Sequence, residues 1–549
     1  MRAWSCRYPG AARLALDAVS LNVPRGALAV VMGATGAGKS TLAGCLTRLV
    51  PAFTMAAVEG EIRIDDQSIA DCAVGELAGR IGMVFQDFEA QLFSTDVQQE
   101  MVFALENTGV PAAEMATRVT AALASVGLTG FEGRDPTTLS GGEKQRLAIA
   151  GLLALRPGIM VLDEPTTDLD PRGRADVFRV LRALRDDGLA VVGIEHDPAV
   201  AVGADLLVVL DEGRVASSGP PAPLLADVAA CDRAGIRVPD ISRVFGALGL
   251  PDPPLEVAAA AARLQAAGFR PQPLAPDAAP PSRPARLVVE QLSYRYPDGH
   301  RGLSEVSVTV GQGEFVALVG HNGSGKTTLA KHLMGLLSPS SGQVRFDGRA
   351  VSELSPAVLA QHIGYVFQDP DHQLFAATAA EEVAFGPRNV GLPPAEVADR
   401  VRDALVAVEL DQQRDDDPFL LDKGSRQRLA VASVLALRPD ILLLDEPMTG
   451  LDVREQDRML ALLRRLHTGG QTIVMITHTP WVIAEYAERV IMLRGGALAY
   501  DGLVRPFFAD DALVQAAAFE APQVTRVGRA LGCTPLRVEE LLAWVGRPA

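Results

Sequence analysis

The sequence predicts an α/β protein made of two tandem halves, each with a mostly parallel sheet, a phosphate-binding loop and a helical subdomain. The loop pattern G-x-x-x-x-G-K-[ST] occurs twice, and the segments that follow it recur in the same order. In each half, short Val, Ile and Leu runs alternate with helical patterns, which is typical of a parallel sheet flanked by helices. The stretches at about 87–157 and 369–439 are richer in helical patterns, so we assign a helical subdomain to each.

The two loops each follow an apolar run with strand character, residues 28–32 and 315–319. Their glycines let backbone N–H groups and a helix N-terminus converge on phosphate oxygens. The lysine of the pattern reaches the β- and γ-phosphates, and the next hydroxyl binds Mg²⁺. The expected phosphate-binding residues are Gly33, Gly36, Gly38, Lys39, Ser40, Thr41, Gly320, Gly323, Gly325, Lys326, Thr327 and Thr328.

The repeat covers most of the chain and identifies a tandem duplication. A constant spacing of 282 residues separates Gln86 from Gln368, the Asp163-Glu164 pair from Asp445-Glu446, and His196 from His478. The two loop lysines are 287 residues apart, so the first half has five extra residues, which we place in a surface loop near 51–58.

Composition excludes several classes of protein. The formal net charge of −16 disfavours a nucleic-acid partner, because phosphate backbones need clustered Lys and Arg. No apolar run reaches the roughly 18 residues that span a bilayer, and no signal-peptide pattern is present. The five cysteines have no metal-ligand spacing and are interpreted as reduced thiols in a cytosolic protein.

Residues 139–146, Leu-Ser-Gly-Gly-Glu-Lys-Gln-Arg, resemble the signature motif of ATP-binding-cassette (ABC) ATPases. With the loops, the glutamines, the Asp-Glu pairs and the histidines, the resemblance covers nearly the whole chain. It implies two ABC nucleotide-binding domains, each with a RecA-like core. The segments Phe-Gln-Asp-Phe-Glu-Ala-Gln-Leu-Phe and Phe-Gln-Asp-Pro-Asp-His-Gln-Leu-Phe resemble, more narrowly, the ATPases of energy-coupling-factor importers of vitamins or transition-metal ions.

The resemblance implies ATP and Mg²⁺ as ligands and a role for each motif. Glu164 and Glu446 would polarise the attacking water, and His196 and His478 would contact the γ-phosphate. Mg²⁺ would be bound by Ser40, Asp163, Thr327 and Asp445. Gln86 and Gln368 would sense the metal or water and link the site to a membrane partner. Ser140, Gly141, Gly142 and Gly424 would be the nucleotide-binding signature residues.

Tyr8 and Tyr296 each precede a proline and are candidates to stack on adenine. The alternative is an ordinary aromatic residue of an edge strand, although its repetition favours stacking.

The two signatures are unequal. Aligning the Gln-Arg pairs places Asp422 and Lys423 opposite Ser140 and Gly141. In the family, one half's signature completes the other half's nucleotide site, so this chain would form both sites alone. A serine donates to a γ-phosphate oxygen, whereas an ionised aspartate repels it by about 4 kcal/mol at 4 Å and a dielectric of 20. We expect the site with Lys326, Glu446 and His478 to hydrolyse faster. Asp422 could equally cap its helix, and both roles are compatible.

The acidic residues beside the two glutamines are Asp87, Glu89, Asp369 and Asp371. They are either a solvated surface or a groove for a basic coupling helix of a transmembrane subunit. Matching tails near 238–249 and 521–532 predict a short helix in each half, as a meeting point of the halves or as simple packing.

We predict a first ABC domain at 1–235 with a helical extension at 236–270, a Pro/Ala-rich linker at 271–285, a second ABC domain at 286–520 and a helical tail at 521–549. Because Tyr8 aligns with Tyr296, Met1 aligns with Val289 inside a predicted first strand. Either the first half has a shortened edge strand, or the true start lies upstream.

The leading functional hypothesis is the ATPase of an energy-coupling-factor importer, bound peripherally at the cytoplasmic face of the membrane. Its partners would be a transmembrane coupling subunit and a substrate-binding membrane subunit. The alternatives are the fused ATPase of a sugar importer with a soluble binding protein, and a tandem-cassette factor acting on ribosomes or DNA. The repeated Gln-Leu-Phe argues against the first, and the acidic charge and Pro/Ala linker argue against the second.

Overall fold

The computed structural model describes residues 1–166, 169, 171–271 and 283–546, so most of the predicted linker at 271–285 lies outside the described residues. The chain divides into two compact units, Met1–Ala260 and Ala261–Ala549. Helix α12 spans the boundary between the two units.

The first unit contains eleven strands among its described residues: β1 (Arg2–Arg7), β2 (Leu16–Val19), β3 (Leu28–Met32), β4 (Ala57–Glu61), β5 (Arg63–Ile64), β6 (Gln67–Ser68), β7 (Ile81–Val84), β8 (Ile159–Asp163), β9 (Ala190–Ile194), β10 (Leu206–Asp211) and β11 (Arg214–Gly219). The helices up to the boundary are α1 (Lys39–Leu46), α2 (Leu49–Ala52), α3 (Val74–Leu77), α4 (Val97–Asn107), α5 (Ala112–Ser125), α6 (Gly141–Ala154), α7 (Pro171–Asp186), α8 (Pro198–Ala201), α9 (Pro221–Ala226), α10 (Val228–Arg233), α11 (Asp240–Ala247) and α12 (Val257–Ala266).

The strands of the second unit are β12 (Arg270–Pro271), β13 (Ala285–Arg295), β14 (Arg301–Gly311), β15 (Phe315–Val319), β16 (Ser341–Phe346), β17 (Arg349–Ala350), β18 (Ile363–Val366), β19 (Ile441–Asp445), β20 (Thr472–Ile476), β21 (Arg489–Arg494), β22 (Ala497–Leu503) and β23 (Val545–Gly546). Its helices are α13 (Lys326–Leu333), α14 (Pro356–His362), α15 (Ala379–Asn389), α16 (Pro394–Ala407), α17 (Lys423–Leu435), α18 (Val453–Thr468), α19 (Pro480–Tyr486), α20 (Val504–Ala509), α21 (Asp511–Ala516), α22 (Gln523–Leu531) and α23 (Val538–Trp544).

Each unit is built around a six-stranded sheet with the same strand order, β7-β8-β9-β3-β10-β11 and β18-β19-β20-β15-β21-β22. The first five strands of each are parallel, and the last pairs antiparallel. Strands β3 and β15 are buried along their whole length, which explains their continuous apolar sequence. The predicted α/β fold of two tandem domains is confirmed.

A smaller antiparallel sheet accompanies each core, β2-β1-β4 in the first unit and β14-β13-β16-β17 in the second. Strand β1 has six residues where its counterpart β13 has eleven. The extra segment near 51–58 covers the end of α2, an exposed turn with Phe53 and Met55, and the start of β4.

Three helices form the helical subdomain of each unit, α4–α6 and α15–α17. The two helical subdomains follow the core strands β7 and β18 in sequence. Each subdomain therefore begins after the glutamine segment, where the chain leaves the sheet. Their apolar faces join the same hydrophobic core as one face of the parallel sheet. Helices also occur in the two matching tails, α11 and α22. Within the described residues, no helix is both long and apolar enough to cross a membrane.

Candidate nucleotide-binding sites

Both phosphate loops lie between a buried parallel strand and the helix that follows it. Gly33 and Gly38 have φ angles of 152° and 99°. A Cβ atom at Gly33 would lie 2.2 Å from the carbonyl oxygen of Leu210, and one at Gly38 would lie 2.4 Å from another carbonyl oxygen. Gly320 and Gly325 are constrained in the same way. Glycine is therefore required for the loop to curl against the neighbouring backbone.

The side chain of each loop lysine is hydrogen-bonded to its own loop. Lys39 Nζ donates to the carbonyl oxygens of Gly33 and Ala34, both at 2.9 Å. Lys326 makes the two equivalent hydrogen bonds at 2.7 and 3.1 Å. The ammonium groups are thus placed inside the loops, where phosphate oxygens would be attracted to them.

The aspartates Asp163 and Asp445 end the core strands β8 and β19, next to the loops. Asp163 and Asp445 are 5% and 6% exposed. Burial raises the pKa of both carboxyl groups, while hydrogen bonds from Ser40 and from Tyr365 oppose that rise. The hydroxyl group of Ser40, the residue after Lys39, therefore contacts the Asp163 carboxylate.

The chemistry of these donors fits Mg²⁺. Asp163 Oδ1 is buried and has no hydrogen-bond partner among the described residues. Leaving a buried carboxylate oxygen unpaired is unfavourable unless a cation or water satisfies it. Carboxylate and hydroxyl oxygens are the ligands that Mg²⁺ prefers, and a divalent cation would also reverse the effect of burial on the carboxyl pKa.

The glutamates after these aspartates are held by the predicted histidines. His196 Nε2 lies 2.7 Å from Glu164 Oε1, and His478 Nδ1 lies 2.7 Å from Glu446 Oε1. Both glutamates adopt left-handed backbone conformations, with φ angles of 51° and 47°. Such strain is uncommon for residues other than glycine and is concentrated at functional sites.

The two glutamines differ in their contacts. Gln86 Nε2 donates to Glu164 Oε2 at 3.0 Å, so Glu164 is held by both Gln86 and His196. For Gln368, no side-chain hydrogen bond is found within the described residues. The sequence predicted equivalent glutamines, whereas the structure brings only the first to its glutamate.

Tyr8 and Tyr296 lie against their own phosphate-loop helices. Their hydroxyl groups are 3.2 and 2.7 Å from the hydroxyl groups of Thr41 and Thr328. The Tyr296 ring stacks on His300, with 4.3 Å between ring centroids and 13° between the planes. Thr41 and Thr328 thus have a partner that the sequence did not predict, and one face of Tyr296 is already covered.

The two signature segments begin helices of the helical subdomains. Ser140 caps α6 in a capping box, with its Oγ 2.7 Å and its backbone N 2.8 Å from Glu143 Oε2. Asp422 caps α17, accepting from the Ser425 backbone N at 2.7 Å and from Ser425 Oγ at 3.1 Å. Capping, which the sequence left as one of two roles for Asp422, is the role that this contact supports.

Comparisons with known proteins agree with this geometry. The model of the ABC transporter family matches residues 16–167 and 303–449. A relative from Caldanaerobacter subterraneus subsp. tengcongensis, named provisionally as an ABC transporter ATP-binding protein, is 40% identical over 97% of this chain and 96% of its own length. A similarly named relative from Methanosarcina acetivorans is 39% identical over 97% of this chain and 90% of its own.

The chain belongs to the ABC transporter family.

Among solved structures, cbiO1 from Clostridium perfringens, described as part of the ABC transporter complex cbiONQ, is 35% identical to this chain. It covers 42% of this chain and 93% of its own, with a TM-score of 0.39.

As an ABC ATPase, the chain binds and hydrolyses ATP. Its two units differ at positions outside the motifs. Gly424 packs against Glu455, whose Oε2 would lie 2.3 Å from an added Cβ. Glu455 also forms an ion pair with Arg428. Glycine occupies the position equivalent to Glu455 in the first unit, Gly173. The altered signature of this ABC ATPase is therefore accompanied by an altered neighbour.

A second difference lies beside the histidines. Glu195, immediately before His196, is 3% exposed, and both its carboxylate oxygens are 3.0 Å from the Thr166 hydroxyl. Burial raises the pKa of Glu195 to about 8. Thr477 and Met448 occupy the equivalent positions in the second unit. Sequence reasoning missed this pair, although alignment of the repeat at 282 residues would have marked it.

The acidic residues beside the glutamines are already engaged within the ABC ATPase. Glu89 forms an ion pair with Lys144 at 2.9 Å, and Asp371 forms one with Arg426 at 2.8 Å. Asp87 and Asp369 accept hydrogen bonds from nearby backbone N–H groups. The groove for a basic helix that the sequence suggested would thus have to compete with these contacts.

Exposed aromatic side chains stand out at the same place in both units. Phe93 and Phe103 pack edge to face with centroids 4.7 Å apart, and Phe375 and Phe385 repeat the arrangement at 4.7 Å. Phe93 is 62% exposed and Phe375 59% exposed. Each pair joins the segment after the glutamine to the first helix of the helical subdomain. We call these two pairs the aromatic pairs.

Proposed function

We propose that the chain is the ATP-hydrolysing subunit of an energy-coupling-factor importer for a vitamin or a transition-metal ion. It works at the cytoplasmic face of the membrane with a transmembrane coupling subunit and a substrate-binding membrane subunit. The proposal rests on the duplicated Gln-Leu-Phe segment, whose phenylalanines belong to the aromatic pairs.

The aromatic pairs are the observation that carries the partner assignment. Large aromatic rings that stay about half exposed are favourable anchors for a protein partner. Phe85 and Phe367, beside the two glutamines, are also exposed, by 41% and 44%. A partner that covers this surface also contacts the segment that follows Gln86. Because Gln86 donates to Glu164, docking there has a short route to the hydrolytic glutamate.

The catalytic assignments follow from the contacts in each unit. Glu164 and Glu446 polarise the attacking water, and their histidines hold the carboxylates in place. Lys39 and Lys326 bind phosphate oxygens. Ser40 with Asp163, and Thr327 with Asp445, would hold Mg²⁺, which would neutralise charge on the phosphates.

Purification from native membranes in mild detergent tests the proposal. The tagged chain is expected to bring with it a polytopic membrane protein and a small membrane protein that binds a vitamin or metal ion. Recovery of a soluble sugar-binding protein with its membrane subunits would favour the sugar-importer alternative. Recovery of ribosomal proteins, or of no membrane protein, would overturn the transport assignment and leave the ATPase chemistry intact.

A matched set of variants sharpens the experiment. Phe93→Ser combined with Phe375→Ser removes one ring from each aromatic pair and is expected to abolish co-purification of the membrane partner. Phe53→Ser is the control, because Phe53 is 75% exposed but lies in the turn after α2 and belongs to neither aromatic pair. Equal loss of the partner in the control would mean that general exposed hydrophobicity, rather than the aromatic pairs, is responsible.

A further inference from the structure

Within each unit, an ion pair connects the signature helix to the segment that follows the glutamine. In the first unit, Lys144 Nζ lies 2.9 Å from Glu89 Oε2. In the second unit, Arg426 Nε lies 2.8 Å from Asp371 Oδ1. The basic side chains are mostly covered, with 18% and 21% exposure, so the contact is shielded from solvent on one side. We call these contacts the first and second links.

The contact is retained although both residue types differ between the units. Glutamate in the first link becomes the shorter aspartate in the second, and lysine becomes the longer arginine. Arg426 Nε and Asp371 Oδ1 each lie one bond nearer to their own Cα than Lys144 Nζ and Glu89 Oε2 do, yet the oppositely charged groups still meet. Charged side chains that only keep a surface hydrated would not have to contact each other. An ion pair at the same place in both units, made by different side chains, favours a role for the contact itself.

The links join two regions with different roles. Glu89 and Asp371 lie in short helical turns, residues 89–91 and 370–372, between the glutamine and the aromatic pair. Lys144 and Arg426 lie on the first turn of α6 and α17, four residues after Ser140 and Asp422. Each link therefore places the segment after the glutamine in contact with the helix end that carries the signature.

The second link is reinforced by hydrogen bonds from the side chains of two glutamines. Gln373 accepts from the Phe367 backbone N at 3.1 Å and donates to Ala430 O and Ser433 Oγ on α17. Gln427 on the same helix donates to Phe367 O at 3.4 Å. With the ion pair, four polar contacts thus hold this segment against α17.

The first unit lacks that reinforcement among its described residues. Gln91 accepts from the Phe85 backbone N in the same way, but donates to Met83 O in the core sheet instead of to α6. Gly151 replaces Ser433, and the buried amide of Gln145 has no hydrogen-bond partner. The Lys144–Glu89 ion pair is therefore the main polar contact between this segment and α6.

We propose that Lys144 and Glu89 are positioning residues that transmit docking of the membrane partner from the segment after Gln86 to the first turn of α6, and so to Ser140. Arg426 and Asp371 have the same role in the second unit, where the two glutamines share it. This inference rests on the proposed function, since it requires a partner that docks on the aromatic pairs. Breaking the first link consequently has a larger effect than breaking the second.

The test compares charge reversal with charge exchange. The variants are Glu89→Lys, Lys144→Glu and the double exchange, with Asp371→Arg, Arg426→Asp and their double exchange in the second unit. The control is the ion pair of Arg118 and Glu114 on α5, whose charged atoms lie 2.7 Å apart. The side chains of Arg118 and Glu114 are 17% and 53% exposed, close to the 18% and 56% of Lys144 and Glu89 in the first link. Glu114→Lys therefore makes the same charge change without touching the link.

The first readout is the ratio of ATP turnover in the purified membrane complex to that of the isolated full chain. Either single reversal in the first link is expected to lower this ratio about two- to fivefold, the range for a partly exposed ion pair, and the double exchange is expected to restore it. Reversals in the second link lower it less, and Glu114→Lys leaves it unchanged. Failure of the double exchange to restore the ratio would overturn the proposal, because the loss in the single reversals would then not come from the ion pair.

The second readout needs no partner and separates the link from the proposed function. Amide hydrogen exchange of the isolated chain is expected to rise at residues 86–93 and 140–147 in the single reversals and to return in the double exchange. If exchange does not change, the link does not hold the helix and the inference is wrong. If exchange behaves as expected but no membrane partner is recovered, the link stands as a structural contact while the proposed function and the transmission are both overturned.

Discussion

Tyr365 donates a 2.7 Å hydrogen bond to Oδ2 of Asp445, the same oxygen that lies 3.5 Å from the Thr327 hydroxyl. Burial, followed by the neighbouring carboxylate, raises the pKa of the Tyr365 phenol well above its usual range, so this group stays protonated as a donor. Met83 takes its place in the first unit and cannot donate. The two ABC units therefore orient the aspartates that we propose as Mg²⁺ ligands by different means.

Tyr365→Phe is expected to weaken divalent-metal binding in the second unit only. Partners that orient a metal ligand typically contribute about ten- to a hundredfold in affinity, and the loss should be at the lower end because Thr327 still contacts Asp445. Mn²⁺ titration in the presence of ADP, followed by electron paramagnetic resonance, measures this. Met83→Leu is the control and should leave both metal affinities unchanged. A shift of equal size in both variants would contradict the assignment.

Two substitutions separate the capping role of Asp422 from its effect on ATP hydrolysis. Asp422→Ala removes the cap of α17 and is expected to cost about 1 kcal/mol of unfolding free energy. Asp422→Ser keeps a capping oxygen and restores the hydroxyl of the family signature, so it should preserve stability and raise ATP turnover. Urea unfolding and steady-state turnover measure the two effects. Unchanged turnover in Asp422→Ser would mean that the aspartate does not limit hydrolysis.

Gly424 is expected to tolerate a methyl group poorly, unlike its counterpart Gly142. A Cβ at Gly424 would lie 2.3 Å from Glu455 Oε2, whereas at Gly142 the nearest atom is 3.3 Å away, on Gly173. Gly424→Ala should therefore destabilise the second unit by roughly 1–3 kcal/mol, as overpacking does, despite the better helix propensity of alanine. Thermal unfolding of the two alanine variants gives the comparison. Equal Tm values would show that Glu455 moves aside without cost.

Glu195 should make the first unit less stable at alkaline pH. The unfolded carboxyl group titrates near its model value of 4.5, while burial raises the folded pKa to about 8. Between these values the folded state retains a proton that the unfolded state has lost, so rising pH favours unfolding, and the stabilisation is complete only below the unfolded pKa.

Glu195→Gln should consequently flatten the fall in Tm between pH 5 and pH 9, roughly the window set by the two pKa values. The amide keeps an acceptor for the Thr166 hydroxyl and has no charge to lose. Glu212→Gln, at a side chain that is 82% exposed, is the control and should retain the wild-type pH dependence. If Glu195→Gln also retains it, another group causes the alkaline loss of stability.

Glu164 and Glu446, the two glutamates that we propose as catalytic, should differ in importance. From the unequal signatures we expect Glu446→Gln to lower ATP turnover more than Glu164→Gln. Each variant keeps a side chain of the same shape but cannot act as a base. Steady-state ATP turnover at saturating ATP compares the two variants. A larger loss in Glu164→Gln would reverse the assigned asymmetry.

Much of the fold and the site could be predicted from sequence because the relevant signals are local. The phosphate loops, the Asp-Glu strand ends and the apolar runs of the parallel strands each depend on a few neighbouring residues. The repeat then identified corresponding positions in the two halves. The helix cap at Asp422 also follows from local chemistry, since the aspartate accepts from an N–H group three residues away.

Other features depend on residues that are far apart in sequence. The hydrogen bond of Tyr365 to Asp445 spans 80 residues, and that of Gln86 to Glu164 spans 78. The sequence suggested that Asp87, Glu89, Asp369 and Asp371 form an acidic groove, because nothing local reveals that Lys144 and Arg426 neutralise two of them. Equivalent residues such as Gln86 and Gln368 make different contacts because their surroundings differ.

By itself, the sequence determined the ABC family, the duplication, the positions of the two loop motifs and the inequality of the two signatures. Those properties reside in residue type and short-range spacing, which the chain carries before it folds. Only the tertiary structure decided which carboxylates are paired, which glutamine reaches its glutamate and which phenylalanines remain exposed. Pairing and exposure are set by which strands and helices pack together, and packing brings into contact residues that no local pattern connects.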